Sequence, residues 1–269
     1  IGAILGDIVM YGIGRKFGRK LLQRRAFFAN FLTPEKERHI EEMFHKHGMK
    51  VLFVSRFLVG IRSPIYITAG ILVSRNPDTG IQNVTIHRCQ VNGGNRIGAL
   101  ILQRHTDHYY RKAEARGRPL EIAIAIGVEP ACLLASQAIV GIDQDELEIA
   151  GALRGAPLPV VKCLTNDLRV PADAEIVLEG RILPKARVME GPFGEFPQYY
   201  GERAERHVIE IDAITHRRNP IFHTITGGGL EHLLLGAIPR EATILATLKH
   251  SFPGVLDVHL GAGGTARYH

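Results

Sequence analysis

The sequence is poor in cysteine and contains no low-complexity tract, and these two absences exclude several classes of protein. The three cysteines are Cys89, Cys132 and Cys163, and none of them lies in a Cys-x-x-Cys pair. Neither a disulfide framework nor a structural zinc site is therefore indicated, and we expect free thiols in a reducing compartment. With 45% hydrophobic and 22% charged residues, the 269-residue chain has a globular composition that allows one large domain or two small ones.

Long hydrophobic runs are also missing. No apolar stretch reaches the ~20 residues that a membrane-spanning helix needs, because Arg56 and Arg62 interrupt the best candidate, residues 49–73. Asp7 interrupts the apolar start of the chain, and no small-residue cleavage site follows it, so no secretory signal is predicted. We expect a cytoplasmic location, with any membrane contact made through residues 1–73.

The excess of basic residues is confined to the first quarter of the chain. Residues 1–73 hold 12 Lys and Arg against 5 Asp and Glu, whereas the remainder holds 21 against 22. The basic residues lie in an apolar segment and lack the interleaved aromatic side chains on which nucleic-acid bases stack. A nucleic-acid partner is therefore not expected, although the sequence pI is about 9.3.

From Ser74 onward the pattern is typical of strands joined by short connections. Residues 83–91 are rich in β-branched side chains and are predicted as one strand, which would place Asn83 and Arg88 on opposite faces unless a bulge intervenes. The other predicted strands are 96–102, 120–128, 160–164, 176–181, 207–216 and 221–226, and the predicted helices are 108–116, 130–139 and 143–153. Gly155 is expected to end the last of these helices.

Three motifs contain side chains that bind cations or anions. They are Asn83-x4-Arg88, Gln103-Arg104-His105 and Glu190-Gly-Pro-Phe-Gly-Glu195. Amide, imidazole and carboxylate groups are ligands that a divalent cation accepts, and such a cation can anchor a phosphate. In this order the motifs resemble those of the UbiD family of decarboxylases, which use prenylated flavin mononucleotide (FMN). The resemblance extends from about Ser74 to the C-terminus.

The UbiD resemblance implies an α+β fold, with a split β-barrel flavin-binding domain over residues 74–269. This domain is expected to be incomplete, because UbiD-like proteins carry a further C-terminal domain that closes over the flavin. The implied activity is the non-oxidative, reversible decarboxylation of an unsaturated, aromatic or heteroaromatic acid. The implied partners are this small acid, a flavin prenyltransferase that supplies the cofactor and, if the protein is complete, further copies of the chain.

The resemblance also implies roles for individual residues. Asn83, His105 and Glu195 would hold a divalent cation, manganese or another, that binds the phosphate of prenylated FMN. Potassium is a further candidate ion, and Gln103 would contact the cofactor together with these ligands. Arg88 would contact the cofactor and the substrate carboxylate, which its planar guanidinium fits bidentately.

Glu231 falls where the family places its acidic proton donor. A second acid that the family has before it is not evident here, since Thr226 and three glycines occupy that stretch. Either His232 shares the role of Glu231, or the local correspondence is displaced by a residue.

Each of the other assignments has a structural alternative. Asn83 is also a common residue at turns and strand starts, and an isolated histidine such as His105 is more often a surface or core residue than a ligand. Glu195 could cap a turn. Arg88 could form a structural ion pair with Glu190 or Glu195.

The first quarter of the chain resembles a second family. The strings Gly6-Asp7-x3-Tyr11-x2-Gly14-Arg15-x2-Gly18 and Phe53-x2-Arg56-Phe57-x2-Gly60-x-Arg62 are similar to those of the DedA family of integral membrane proteins, although Val59 stands where that family has proline. Residues 1–73 are therefore predicted as a mostly helical segment. The alternative function is that of a DedA-like membrane protein for lipid-phosphate transport, joined to a non-functional UbiD-like fragment.

Overall fold

A computed structural model describes residues 66–67, 70–191, 193–194 and 200–261, all within the compact unit Pro64–His269. Nearly all of the predicted helical segment 1–73 and the predicted ligand Glu195 lie outside these residues. The strands are β1 (Tyr66–Ile67), β2 (Ile71–Arg75), β3 (Gln82–Ile86), β4 (Cys89–Gly93), β5 (Arg96–Ala99), β6 (Leu120–Ile126), β7 (Val160–Lys162), β8 (Arg169–Pro171), β9 (Ile176–Glu190), β10 (Phe193–Gly194), β11 (Tyr200–Gly201) and β12 (Ala204–His216). The helices are α1 (His105–Ala115), α2 (Pro130–Ala135), α3 (Glu146–Arg154) and α4 (Leu230–Ser251).

Eight of these strands form one antiparallel sheet in the order β1-β4-β5-β12-β9-β6-β2-β3. Strands β7 and β8 pair separately, as do β10 and β11. The mixed helix and sheet architecture that the sequence predicts is confirmed. Of the described helices, none is both long and apolar enough to cross a bilayer.

The sheet carries a hydrophobic cluster on each face. Ile122, Ile124 and Ile126 of β6 pack with α1 on one face, whereas Ala123 and Ala125 pack with α2 and α3 on the other. The alternation follows from the two-residue period of a strand. Each fully buried isoleucine contributes about 1.5–3 kcal/mol to the stability of the fold. The continuous apolar run predicted at residues 120–128 is thus a central strand covered on both faces.

The predicted single strand over residues 83–91 is divided in two. The break falls at His87 and Arg88, between β3 and β4. Strand β3 is the edge strand at one end of the sheet, whereas β4 is the second strand from the other end. Two residues span less than ~10 Å, so the sheet curves until its two ends approach each other. The change of partner explains the break, because β3 pairs with β2 while β4 pairs with β1 and β5.

Other predicted boundaries also differ from the structure. Residues 221–226 belong to no strand. Strand β5 ends at Ala99, and residue 105 begins a helix instead of following the end of a strand. Helix α3 is confirmed, with the Asp145 side chain accepting a hydrogen bond from the Leu147 amide at 2.9 Å at its start. Gly155 ends it in the left-handed conformation (φ 70°), as expected.

Gly180 lies on β9 opposite Ile211 of β12, and β9 and β12 are the two longest described strands. A Cβ atom at this position would overlap the carbonyl oxygen of Glu210 and lie 3.0 Å from the Cα atom of Ile211. Because both neighbours are backbone atoms of a central strand, we expect Gly180→Ala to destabilise the protein by about 1–3 kcal/mol. Urea unfolding measures this loss. The matched control Gly236→Ala, in α4, should instead stabilise slightly, and equal effects of the two variants would contradict the prediction.

Candidate functional site

Asn83 is held on both sides of its amide group. It lies on β3 and is 3% exposed. Its Nδ2 donates to Glu146 Oε1 at 2.6 Å, and its Oδ1 accepts from Thr106 Oγ1 at 3.1 Å. The asparagine is therefore neither a turn residue nor a surface residue, since it lies on strand β3 and both helix α1 and helix α3 supply contacts to it.

His105 is the first residue of α1, directly before the threonine that contacts Asn83. One predicted cation ligand, His105, is thus adjacent in sequence to a residue that contacts another, Asn83. Partial burial, with Arg104 and His108 nearby, lowers the pKa of His105. This favours the neutral imidazole, the form that binds metal ions. Gln103 lies exposed in the turn before the helix.

Glu146 opens helix α3 and turns inward. It is 3% exposed, and its second oxygen, Oε2, accepts from the backbone amide of Val84 at 2.6 Å. Burial raises the pKa of Glu146 to about 7, against the lowering effect of the hydrogen bonds from Val84 and Asn83. The carboxylate therefore joins the start of α3 to two successive residues of β3.

Arg88 lies at the break between β3 and β4 and forms a two-point contact with Glu190. Its Nε lies 3.3 Å from Glu190 Oε1, and its Nη2 lies 3.0 Å from Oε2. The Arg88 side chain is 11% exposed and that of Glu190 is fully buried. The Nε of Arg206 lies 3.5 Å from the same carboxylate. One carboxylate between two guanidinium groups leaves this trio with a net positive charge.

Glu190 also begins the segment that leads to Glu195. The amide of the next residue, Gly191, donates to Gln90 Oε1 at 2.8 Å. Gly191 has φ 95°, a conformation that residues with a Cβ rarely adopt. Glu195 itself lies outside the described residues, so its predicted role as a ligand remains a prediction.

Glu231 lies in the first turn of α4, 61% exposed in its side chain, with its Oε1 3.5 Å from Nε2 of His223. His232 follows it, and its Nδ1 accepts from the Gly228 amide at 3.4 Å. Burial lowers the pKa of His232. In the described parts of the chain, no three His, Cys, Asp or Glu side chains form a group that could hold a metal ion.

His87, beside Arg88, is expected to make the stability of the protein pH-dependent. Its Nδ1 lies 3.1 Å from the carbonyl oxygen of Leu100, and its Nε2 is shielded from water without a partner among the described residues. Burial lowers the pKa of His87 to about 4 from 6.5, assisted by His207 and opposed by the Leu100 contact. The unfolded chain therefore binds a proton near pH 6.5, which the folded chain does not bind until about pH 4.

Keeping His87 neutral therefore costs no stability above pH 6.5. As the pH falls from 6.5 toward 4, the free energy of unfolding decreases by up to about 1.4 kcal/mol for each pH unit. Urea unfolding at a series of pH values measures it. His87→Asn should flatten this pH dependence, whereas the same change at the exposed His108 should not. Equal slopes for His87→Asn and the wild type would contradict the prediction.

The sequence pattern did not reveal three residues of this site, namely Thr106, Glu146 and Arg206. Thr106 follows a predicted ligand, but a threonine in a first helical turn is common and carries no signal by itself. Glu146 belongs to a run of acidic residues that normally faces solvent at a helix start. Arg206 lies on β12, and its relation to Glu190 depends on the pairing of β9 with β12.

Comparison with known families defines the class of protein to which this fold and site belong. Residues 64–230 match the UbiD family model, described as the 3-octaprenyl-4-hydroxybenzoate carboxy-lyase Rift-related domain. The chain belongs to the UbiD family. Residues 1–75 match the VTT domain, which is DedA-like. Both resemblances noted in the sequence are confirmed.

Individual relatives are decarboxylases. The chain is 43% identical over 204 residues to anhydromevalonate phosphate decarboxylase of Methanothermobacter thermautotrophicus, covering 76% of this chain and 48% of that protein. The structure of the UbiD-class enzyme HmfF from Pelotomaculum thermopropionicum in complex with FMN is 58% identical, with a TM-score of 0.75, covering 77% of this chain and 46% of that one. An evolved dimeric form of HmfF in complex with prFMN has a TM-score of 0.76, with 58% identity and coverages of 77% and 48%.

The vanillic acid decarboxylase of Sedimentibacter hydroxybenzoicus, in closed form, is 37% identical with a TM-score of 0.69, covering 74% of this chain and 44% of that one. The chain thus spans about half the length of the relatives that it matches.

Proposed function

We propose that the chain is the flavin-binding part of a UbiD-like carboxy-lyase. It would catalyse the non-oxidative, reversible decarboxylation of an unsaturated, aromatic or heteroaromatic acid with prenylated FMN and a divalent cation. The observation that carries the proposal is the pair of Arg88 and buried Glu190. Arg88 lies at the short connection between the two ends of the curved sheet, close in sequence to the fixed amide of Asn83. The curvature of the sheet and the HmfF complexes with FMN and prFMN support a split β-barrel as the site of the flavin.

The described residues fit the implied cation. A carbonyl oxygen has two acceptor positions, so Asn83 Oδ1 has capacity for a cation beside its hydrogen bond from Thr106. His105 begins the adjacent helix and favours its neutral form. With Glu195 as third ligand, one amide oxygen, one imidazole nitrogen and one carboxylate would suit manganese or another divalent ion that binds the cofactor phosphate. Potassium remains a candidate for a second ion, and Gln103 for a cofactor contact.

Arg88 is proposed to bind the substrate carboxylate. A guanidinium has five N–H donors in a rigid fork, and the contact with Glu190 through Nε and Nη2 sets the plane of that fork. Bound prenylated FMN would supply the electron sink that loss of carbon dioxide from an unsaturated carbon requires.

Glu231 is proposed to carry the proton that replaces the lost carboxylate. Its position in the first turn of α4 leaves it largely exposed, and the neighbouring His223 Nε2 at 3.5 Å can exchange a proton with it. A carboxylic acid at this place would deliver the proton and recover it from the imidazole or from water. A homo-oligomer is the proposed assembly, which size-exclusion chromatography with light scattering would test.

The decisive experiment is co-expression of the full chain with a flavin prenyltransferase, followed by the absorption spectrum and manganese content of the purified protein. We expect a coloured, manganese-containing protein that releases carbon dioxide from an aromatic or heteroaromatic acid. Glu195→Ala should remove both the colour and the manganese, whereas Glu205→Ala, at an exposed residue of β12, should keep both. A wild-type protein that stays colourless and free of manganese after reconstitution would refute the proposal.

A second candidate function is membrane attachment through residues 1–73, favoured by the match of residues 1–75 to the VTT domain. In this case lipid-phosphate transport is the DedA-like activity, and the UbiD-like part is inactive. Flotation of the full chain with vesicles of an anionic phospholipid separates the two. Detergent-dependent solubility without a chromophore would favour the second candidate.

A further inference from the structure

Glu146 has no place in the predicted site, yet its carboxylate is buried against a proposed cation ligand. The 2.6 Å contact between Glu146 Oε1 and Asn83 Nδ2 joins two residues that are each only 3% exposed. Oε2 is engaged at the same distance by the Val84 amide. Both carboxylate oxygens are therefore used by donors on one strand, which restricts rotation of the carboxylate.

This contact determines which end of the Asn83 amide faces which way. Both oxygens of Glu146 accept hydrogen bonds, one from Asn83 Nδ2 and one from the Val84 amide, so the NH2 end of Asn83 points to Glu146. The carbonyl oxygen must then point to the opposite side, where Thr106 donates to it and where His105 begins α1. The threonine cannot set this orientation alone, because a hydroxyl both donates and accepts.

We propose that Glu146 is a positioning residue for the cation, acting through Asn83 by keeping the amide oxygen, and not the amide nitrogen, turned toward it. The inference rests on the proposed function, since it takes Asn83 as a cation ligand. Groups that orient ligands without touching the metal typically change its affinity by about 10- to 100-fold.

Glu146→Gln is the informative change because it preserves size while replacing one acceptor by a donor. The oxygen of the introduced glutamine would keep the bond to the fixed Val84 amide, which leaves its NH2 group facing Asn83. Two NH2 groups repel each other, so the Asn83 amide turns over and presents its oxygen to the introduced side chain. Thr106 can accept from the reversed amide, so the fold tolerates the change. The cation would then meet an NH2 group, and its affinity should fall.

The double variant Glu146→Gln with Asn83→Asp restores the pairing with the donor and the acceptor exchanged. The introduced glutamine then donates to one oxygen of the introduced aspartate, and the other aspartate oxygen faces the cation. The total charge of the pair equals that of the wild type, so a change in charge could not explain a loss of affinity that the double variant fails to recover. The control is Glu148→Gln, an exposed residue of the same helix.

The test is a titration of the full-length chain with Mn²⁺ in the presence of FMN, with free Mn²⁺ followed by its electron paramagnetic resonance signal. We expect Glu146→Gln to weaken Mn²⁺ binding about 10- to 100-fold, the double variant to recover most of the loss, and Glu148→Gln to match the wild type. Unchanged affinity in Glu146→Gln would overturn the inference, as would a loss that the double variant does not recover.

Thr106→Val keeps the Glu146 contact and serves if Glu146→Gln does not fold. We expect Thr106→Val to bind Mn²⁺ with an affinity close to that of the wild type. A tenfold loss of Mn²⁺ affinity would show that Thr106, and not Glu146, orients Asn83, and would overturn the inference. A wild-type chain that binds no Mn²⁺ with FMN would refute the proposed function together with the inference. Binding by the wild type that Glu146→Gln leaves unchanged would refute the inference alone.

Discussion

Replacing Arg88 by lysine is expected to lower kcat/KM for decarboxylation by about 100- to 1000-fold in the chain loaded with prenylated FMN. Lysine keeps the positive charge but loses the planar fork that contacts Glu190 at two points and would meet a substrate carboxylate in the same way. Truncating one partner of a buried, hydrogen-bonded charge pair costs about 2–5 kcal/mol, and each 1.4 kcal/mol of transition-state stabilisation corresponds to about a tenfold change in rate.

The matched control for this prediction is Arg96→Lys. The Arg96 side chain is 62% exposed, and its Nη2 lies 3.5 Å from Glu210 Oε2, so a change there should leave kcat/KM within about twofold, as exposed ion pairs contribute little. Steady-state release of carbon dioxide measures both variants. If Arg88→Lys were as active as Arg96→Lys, Arg88 would not bind the substrate carboxylate. Equal absorbance of the bound cofactor in the two variants shows that they carry the same amount of cofactor, so a difference in kcat/KM reflects the use of the substrate.

Glu190→Gln is expected to destabilise the folded protein by about 3–5 kcal/mol, the usual consequence of removing one member of a buried ion pair. The change would leave two guanidinium groups, those of Arg88 and Arg206, facing each other across a neutral amide. Each would lose a charge-assisted contact in a place that is largely shielded from water. Urea unfolding followed by circular dichroism measures the effect.

Glu205→Gln, on the exposed side of β12, is the control and should change the free energy of unfolding by less than about 0.5 kcal/mol. A further test is the pair of changes Glu190→Leu and Arg88→Met, which removes both charges of the two-point contact. This double variant should be more stable than the sum of the single changes, because it removes both charges of the Arg88–Glu190 contact and only Arg206 then loses its contact with the carboxylate. A stability of Glu190→Gln close to that of the control would show that the buried ion pair does not support the fold.

Local signals were sufficient to predict several elements of this fold. The acidic start and the glycine end of α3 are short-range features, since Asp145 and Gly155 act within their own turns. The apolar run at β6 was equally clear, because a strand buried on both faces has no polar alternation. The order of the motifs around Asn83, Arg88 and His105 was sufficient to identify the family.

Other features depend on partners distant in sequence and left no local signal. The break of the predicted strand at Arg88 arises because the chain leaves one end of the sheet and joins the other. Residues 221–226 have the apolar character of a strand but find no pairing partner in the described sheet. Helix α4 was not predicted, since Pro239 lies inside it and interior proline normally ends a helix.

The same limit applies to the site. A ligand such as Asn83 could be proposed from its motif, but the acid that holds it, Glu146, is 63 positions away. Only the packing of α3 against β3 reveals that this glutamate faces inward. Motifs report the groups that would touch a cofactor, whereas the groups that hold them in place depend on tertiary structure.

The order of strands in the sheet has a consequence for how the chain reaches its native state. The ladder β1-β4-β5 is hydrogen-bonded to the ladder β9-β6-β2-β3 only through β12 among the described strands, and β12 is the last of them in the chain. Its pairing with β5 closes a loop of about 100 residues, and such long closures carry an entropic cost that slows folding. During synthesis the edges of β5 and β9 that pair with β12 would therefore remain unpaired until residues 204–216 have left the ribosome.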